Sequence, residues 1–473
     1  MEMNEKELLA RKFREYTGEN CIDIVSMPRS GSDRKYFRIT GSGKTVIGAY
    51  NPNREENDAF IGFTRHFRSL KLPVPEVFHY FPESACYFIQ DLGDTNLFTW
   101  LERKKQTVGF DEEMLNFYRQ SLGMLVLFQT EAIKDLNLEL CYPHKSFDRQ
   151  SMIWDLNYFK YMFLKLVSAP FNEKRLEKDF NTLVDFLLEA GQDYFLYRDF
   201  QSANIMVVDN NPWFIDYQGG RKGSAQYDPA SLLYDPKAHV PQEAREILIE
   251  HYIKLFCKKT NSSEENFRKY YHGFVLIRIM QAMGAFGYRG LYEQKPGFVQ
   301  SIIPGVRILS NIIESEQLRK KLPEMYRIFK ELPELDMFAE LEEHERLTVR
   351  ITSFSYMNGM PQDKVHGGGF IYDCRALPNP GKIEKLRNLN GLDEAVKKYM
   401  GQQEEVKEFM DDVARMVIRS VKSYIIKDYN SLAVSFGCTW GRHRSVYCAE
   451  KLAGTLKKIE GIEIKVNHRD KDN

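Results

Sequence analysis

The sequence predicts a multidomain chain of α/β and α+β class that ends in a small, largely parallel α/β domain. Three observations carry this. The length, 473 residues, exceeds what one hydrophobic core usually serves, so two or three domains are expected. Short apolar or β-branched runs crowd the first hundred residues, and helical periodicity dominates from about Asp111 onward. From Leu347 the pattern changes to strand–helix–strand alternation, the signature of a parallel sheet.

The elements follow in order. "CIDIVSM", "KYFRIT" and "TVIGAY" read as strands, separated by "PRSGSD" and "GSGK" turns. "EENDAFIGFTRHFRSL" places Phe60, Phe63, Phe67 and Leu70 on one helical face. "LPVPEVFHYF" and "CYFIQDLGD" return to strand, and helices fill about Asp111 to Ala190. "ANIMVVD" and "PWFIDYQ" form two further strands, followed by a helical region to about Leu332. The acidic "ELPELDMFAELEEHERL" reads as a connector or bridging helix. Beyond it come the strands "LTVRITSFSY" and "GFIYDCRAL", a helix from Asp393, the strand "SLAVSFG", a helix from Arg444 and the strand "IEIKVNH". The expected division is 1–332, a linker 333–346, and 347–473.

Composition narrows the function class. Hydrophobic residues make up 43% and charged residues 28%, which is ordinary for globular proteins. Lys+Arg and Asp+Glu are both 66, so the net charge is zero. Neither nucleic acid nor a membrane surface is expected as a partner, because both select a positive field. Seven cysteines are scattered without a C-x-x-C pair, and the N-terminal segment is charged, with no apolar stretch of leader type. The expectation is a soluble, cytoplasmic protein with reduced thiols.

"TGSGKT" imitates a phosphate-binding P-loop, but Arg38 stands where the first glycine of that motif belongs. "VIGAY" after it reads as strand, so the segment is a glycine-rich hairpin turn. Stronger chemistry lies in "YRDFQSANIMVVDNNPWFIDYQ". Asp199 precedes Asn204 by five residues, in a loop leading into a strand, and Asp216 ends the next strand. Phosphoryl transfer uses this set: one carboxylate takes the proton of the attacking hydroxyl, and an amide oxygen and a second carboxylate hold Mg²⁺ on the ATP phosphates.

Over roughly Cys21 to Leu332 these residues resemble the aminoglycoside phosphotransferase-like kinases. The resemblance implies a protein-kinase-like bilobal fold, with lobes at about 1–95 and 96–332, and ATP and Mg²⁺ as cofactors. It implies Asp199 as catalytic base and Asn204 and Asp216 as metal ligands. Ser30, Gly31 and Ser32 in "SMPRSGSDRKYFRI" would cover the nucleotide, backbone near Asp91 would form the adenine hinge, and Glu55 or Glu56 would be the acidic partner. Three departures stand out: Tyr-Arg-Asp at the catalytic loop, no lysine after Lys44 in "TVIGAYNP", and Gly219 after "IDYQ". The anomeric sugar kinases of AmgK type resemble this chain in lacking that lysine. They are also similar in "DRKYFRI", "DLGD", "DFQ--N-M" and "IRIMQAMGAFGYRG". This resemblance implies an amino-sugar substrate of N-acetylmuramate or N-acetylglucosamine type in cell-wall recycling, phosphorylated at the anomeric hydroxyl. Tyr158, Phe159, Gln218 and Arg278 are weaker candidates for the sugar pocket.

Near the end stands "SFGCTWGRHRSVYCAEKL". A strand ends at Phe436, and Gly437, Thr439 and Gly441 precede a helix whose first amides are unsatisfied. Arg442, His443 and Arg444 add donors and positive charge, and Asp373 and Arg375 end a neighbouring strand. Cys438 and Arg444 have the spacing of a cysteine phosphatase loop. However, Gly437 stands where such a loop places histidine, so Cys438 reads as scaffold. With "SFSYMNGMPQD", "YDCRALPNP", "LNGLD" and "NHRD", the stretch from about Leu347 to Asp470 resembles the C-terminal domain of RapZ-type proteins. That resemblance implies a phosphosugar ligand such as glucosamine 6-phosphate, and homo-oligomerisation of the chain. Trp440 and Gly381 depart from the family pattern, with His366 nearby as a substitute. The alternative to a kinase is a non-catalytic nucleotide-binding regulator that senses a phosphosugar and recruits a protein or RNA partner.

Overall fold

Helix α1 (Glu5–Thr17) buries Leu9 and Phe13, one turn apart, against a five-stranded sheet. The structure, a computed structural model, describes all residues except 1–4, 28–33, 109, 294, 296–297, 336, 339–346, 362–368, 427–428, 430, 458, 460–461 and 472–473. By contacts the chain divides into two compact units. One comprises Met1–Leu164, Ala169–Gly284 and Pro304–Leu332; the other comprises Lys165–Ser168, Ala285–Ile303 and Pro333–Asn473.

The first sheet contains β1 (Asp23–Ser26), β2 (Lys35–Thr40), β3 (Thr45–Tyr50), β4 (Val77–Phe81) and β5 (Cys86–Ile89), in the order β1-β2-β3-β5-β4, all antiparallel. Alternation splits β2 cleanly: Phe37 and Ile39 join the core with α1, which leaves Tyr36 and Arg38 on the opposite face. "GSGK" closes the β2–β3 hairpin, with the Gly41 amide donating to the Lys44 carbonyl at 2.8 Å. Helix α2 (Arg54–Ser69) is capped by the Asn53 side chain, which accepts from the Glu56 amide. It buries Phe60, Phe63 and Phe67. Leu70, expected on the same face, ends the helix as its C-cap and is exposed, because the helical period stops there.

The helical lobe follows with α3 (Leu97–Val108), α4 (Glu112–Thr130), α5 (Arg149–Phe159), α6 (Glu173–Leu188), β6 (Tyr194–Leu196), β7 (Ile205–Val208), β8 (Asn211–Phe214), β9 (Arg221–Gly223) and α7 (Tyr227–Leu233). After these come α8 (Gln242–Thr260), α9 (Glu264–Phe286), α10 (Ile302–Ile312), α11 (Glu316–Lys321) and α12 (Pro323–Glu331). β7 and β8 form a hairpin whose turn residues Asp209 and Asn210 take φ of 49° and 59°. This left-handed pair suits asparagine and aspartate and matches strand twist. β6 pairs with β9, which brackets the loop carrying Asp199. Phe60 stacks on Tyr87 at 5.1 Å and on Tyr217 at 5.3 Å, so one ring of α2 joins the strand lobe to the segment after β8.

The second unit is built on β10 (Leu347–Ser355), β11 (Gly369–Asp373), α13 (Glu394–Gly401), α14 (Glu404–Ile426), β12 (Ser431–Cys438), α15 (Arg444–Leu456) and β13 (Ile462–His468). Its strands run in the order β11-β12-β10-β13, every pair parallel. Val349, Ile351, Val434 and Phe436 on the central strands bury against Val413 and Val417 of α14 and Cys448 and Leu452 of α15. The register pairs Asp373 with Gly437 and Ser355 with Cys438, so three strands end together at one carboxyl edge.

Candidate active site

The loop between β6 and β7 is held from below by Asp228 of α7. This carboxylate accepts the Tyr197 amide at 2.8 Å, the Arg198 amide at 3.0 Å and the Gln129 side-chain amide at 3.3 Å. Burial pushes Asp228 up to about 7, against the pull of these bonds. Arg198 sits at φ 82°, and its guanidinium is fixed by Asp155 and the Tyr227 hydroxyl, each at 2.7 Å. Two charges and a phenol thus hold a left-handed residue next to Asp199.

Asn204 then gathers the site. Its amide nitrogen donates to the Asp199 carbonyl at 2.9 Å and to the Asp216 carboxylate at 3.2 Å. The Ile215 amide returns a bond to the Asn204 carbonyl at 3.1 Å, and Tyr197 donates its hydroxyl to the Ile215 carbonyl at 2.6 Å. The structure therefore brings Asp199, Asn204 and Asp216 together. The Asp199 carboxyl is raised above its ordinary value, first by burial and then by the like charge of Asp216. Asn204 and Asp216 offer amide and carboxylate oxygens, the hard donors a divalent cation takes.

A cavity of about 150 Å³ opens beside them, lined by Tyr36, Ile47, Ile89, Asp91, Asn204 and Asp216 among others. The Asp91 carboxylate itself is committed: Arg38 grips it at 2.6 and 2.9 Å, and the Gly93 amide adds 2.9 Å. Burial alone would raise it, but these bonds hold it below the ordinary carboxylate value. The segment from Gln90 to Gly93 also lines the cavity. Of the two candidate glutamates, Glu55 is exposed, while Glu56 is half-buried and connected. Glu56 meets Arg34 at 2.8 Å and accepts from Asn51 at 2.8 Å. Gln218 reaches from Glu56, at 3.5 Å, to Asp216, at 2.7 Å. Ser30, Gly31 and Ser32 lie outside the described residues. Lys44 turns to the α1 side, where it donates to the Tyr16 hydroxyl at 2.9 Å and lies 4.2 Å over the Phe78 ring.

Sequence reasoning missed Arg34, Asn51 and Asp228. No local pattern distinguishes them from surface polar residues; their burial does. Of the weak sugar-pocket candidates, Phe159 is core and Arg278 is buried against Ser231 and Gln281, both at 2.8 Å.

In the second unit the turn from β12 to α15 brings the remaining candidates to the carboxyl edge. Gly441 takes φ 72°, and a Cβ there would lie 2.9 Å from the Ser355 amide nitrogen, so only glycine fits. The Thr439 carbonyl accepts the Ser355 hydroxyl at 2.8 Å. Asp470 ties the Ser355 amide at 2.7 Å and Asn358 at 2.9 Å. Arg444, 6% exposed, donates to the carbonyls of Arg375 at 2.7 Å and Leu377 at 3.1 Å. Arg442 donates to the Asn388 carbonyl at 2.6 Å. The His443 ring meets the Leu386 carbonyl at 3.2 Å, and burial lowers its basicity. Asp373 is engaged by its neighbour Arg375, whose hydrogen bonds depress the carboxyl. A Cβ on Gly381 would stand 3.6 Å from the His443 ring, so the glycine lies beside that ring. His366 lies outside the described residues. Cys438 is buried, with its sulfur 3.2 Å from the Ser445 hydroxyl.

Two family models match the chain. The phosphotransferase enzyme family covers residues 25–267, and the RapZ C-terminal domain covers residues 347–472. Curated relatives match the latter region. A "nucleotide-binding protein" of Endomicrobium trichonymphae is 39% identical over 124 residues, 26% of this chain and 42% of that protein. One of Thermotoga neapolitana is 41% identical over 124 residues, again 26% and 42%. The chain thus spans less than half the length of the curated relatives it matches. Among solved structures, choline kinase LicA from Streptococcus pneumoniae is 13% identical, with a TM-score of 0.43 covering 65% of this chain and 99% of that one. ADP-bound aminoglycoside phosphotransferase APH(2'')-Ib is 12% identical, with a TM-score of 0.44 covering 67% and 97%. The kinase-like bilobal fold and the parallel α/β domain predicted from the sequence are both present.

Proposed function

Since the chain belongs to the phosphotransferase enzyme family, we propose that it is an ATP- and Mg²⁺-dependent kinase acting on an amino sugar. The substrate is of N-acetylmuramate or N-acetylglucosamine type, and the acceptor is the anomeric hydroxyl. The supporting observation is the cluster in which Asn204 bridges the backbone of Asp199 to the carboxylate of Asp216, with Asn204 and Asp216 lining the cavity. Asp199 accepts the hydroxyl proton as the sugar oxygen bonds to the γ-phosphorus. The bond to the bridging oxygen breaks, and ADP departs. Asn204 and Asp216 hold the cation, which neutralises phosphate charge when bound. Backbone at Gln90 to Gly93 meets the adenine, and Ser30, Gly31 and Ser32 cover the phosphates.

The C-terminal domain, 347–473, is the receptor for a phosphosugar. Thr439, Gly441 and the α15 N-terminus face the anion, Arg442, His443, Asp373 and Arg375 shape the rim, and the buried Arg444 supports the site from beneath through the Arg375 and Leu377 carbonyls. The enzyme works in the cytoplasm in cell-wall sugar recycling. Among the described residues no helix is long and apolar enough to cross a membrane.

The test is incubation of the full chain with ATP, Mg²⁺ and a panel of amino sugars, followed by measurement of ADP and of acid-labile, alkali-stable sugar phosphate. Turnover that Asp199→Asn abolishes is the expected result. Nucleotide binding without turnover on any sugar would instead make the chain a phosphosugar-sensing regulator.

A further inference from the structure

Nucleotide phosphates buried in a cavity require a fixed cation, and protein kinases supply a lysine on the third strand, paired with a helix glutamate. The cavity face of β3 here carries Ile47 and Ala49 instead. Lys44, at its start, is committed to Tyr16.

The neighbouring strand provides a cation. Tyr36 lines the cavity and Arg38 holds Asp91 at its rim. Arg34, two residues before Tyr36, continues that face by strand alternation. It is 3% exposed. Its guanidinium lies 5.8 Å from the ring centroid of Phe60, another cavity residue. One nitrogen donates to the Tyr36 hydroxyl at 3.0 Å and another meets Glu56 at 2.8 Å. Its Nε has no hydrogen-bond partner among the described residues. A buried guanidinium with a spare donor is costly unless a ligand completes it.

We infer that Arg34 is the phosphate-binding cation of this site, taking the place of the absent strand lysine, with Glu56 as its positioning residue. The inference rests on the kinase reading above. Glu56 also contacts Gln218, which reaches Asp216, so the cation and the metal ligands are aligned through one polar chain. An arginine fork on a phosphate gives two parallel donors where lysine gives one point of charge.

The experiment compares binding of ATP and of adenosine by calorimetry on the full-length protein. Arg34→Met is expected to weaken ATP by about 10–100-fold while leaving adenosine within about 2-fold. Arg34→Lys is expected to recover part of the loss. A merely structural arginine would weaken both ligands alike and lower the melting temperature of the free protein. If Arg34→Met does not fold, Arg34→Lys and Glu56→Gln read the same ATP-to-adenosine ratio. Wild-type binding with that ratio unchanged in the variants overturns the role of Arg34 alone. Absence of nucleotide binding by the wild type overturns the kinase reading and this inference with it.

Discussion

Replacing Asp228 by asparagine tests how the catalytic loop is held. The side chain keeps its shape, but one of its two oxygens becomes an amino group. Those oxygens accept the Arg198 amide on one side and the Tyr197 and Gln129 amides on the other. Whichever way the new amide turns, at least one buried backbone N–H faces a donor instead of an acceptor. An orphaned buried donor costs about 1–3 kcal/mol. At about 2 °C per kcal/mol for a large domain, melting should fall by about 2–6 °C. The same change releases Arg198 from φ 82°, beside Asp199. A shift of about 1 Å at the base costs about 100-fold in turnover. Differential scanning calorimetry and the coupled ADP assay, both at pH 8, read the two effects. The sign with pH is also set. The folded value, about 7, lies above the unfolded 3.8. Asp228 therefore contributes most below pH 3.8, and that contribution is lost as pH rises through about 7. The wild type should lose stability relative to Asp228→Asn across that window. A variant that melts within about 1 °C of wild type and turns over at full rate would refute the clamp.

Because Asp199 is raised by burial and by Asp216, the acid limb of kcat/KM should lie above the ordinary aspartate value. A profile whose acid limb falls at or below the ordinary aspartate value contradicts this. Gly441→Ala forces a side chain onto a residue at φ 72° and against the Ser355 amide. It should destabilise the C-terminal domain by at least about 1–2 kcal/mol in denaturant titration. Arg444→Ala removes the buried guanidinium whose Nη1 donates to both the Arg375 and Leu377 carbonyls. Titration with glucosamine 6-phosphate should then show binding about 10–100-fold weaker, and Arg444→Lys should not restore it.

Much of this architecture was legible in the chain. Strand–helix alternation after Leu347 is a local period, and it produced the parallel sheet. The hairpin over Ile205–Phe214 announced itself through two β runs around Asp209 and Asn210. Leu70 was misplaced because a helical period does not state where it stops. At the site, Asp199, Asn204 and Asp216 lie within one short segment, so spacing alone proposed their meeting. The choice between Glu55 and Glu56 was not available from spacing, since adjacent residues differ only in which face the helix turns inward.

By itself, the sequence determined what is short-range: the order of elements, the segment bearing the base and metal ligands, and the glycine-rich turn before α15. Tertiary structure alone decided the charge pairing. Glu56 meets Arg34 and Gln218, the latter 162 residues away, and Asp228 reaches back 30 residues to the loop it clamps. Buried charges must be compensated by whatever the fold brings alongside. Those partners are set by packing of distant elements, which no local period encodes.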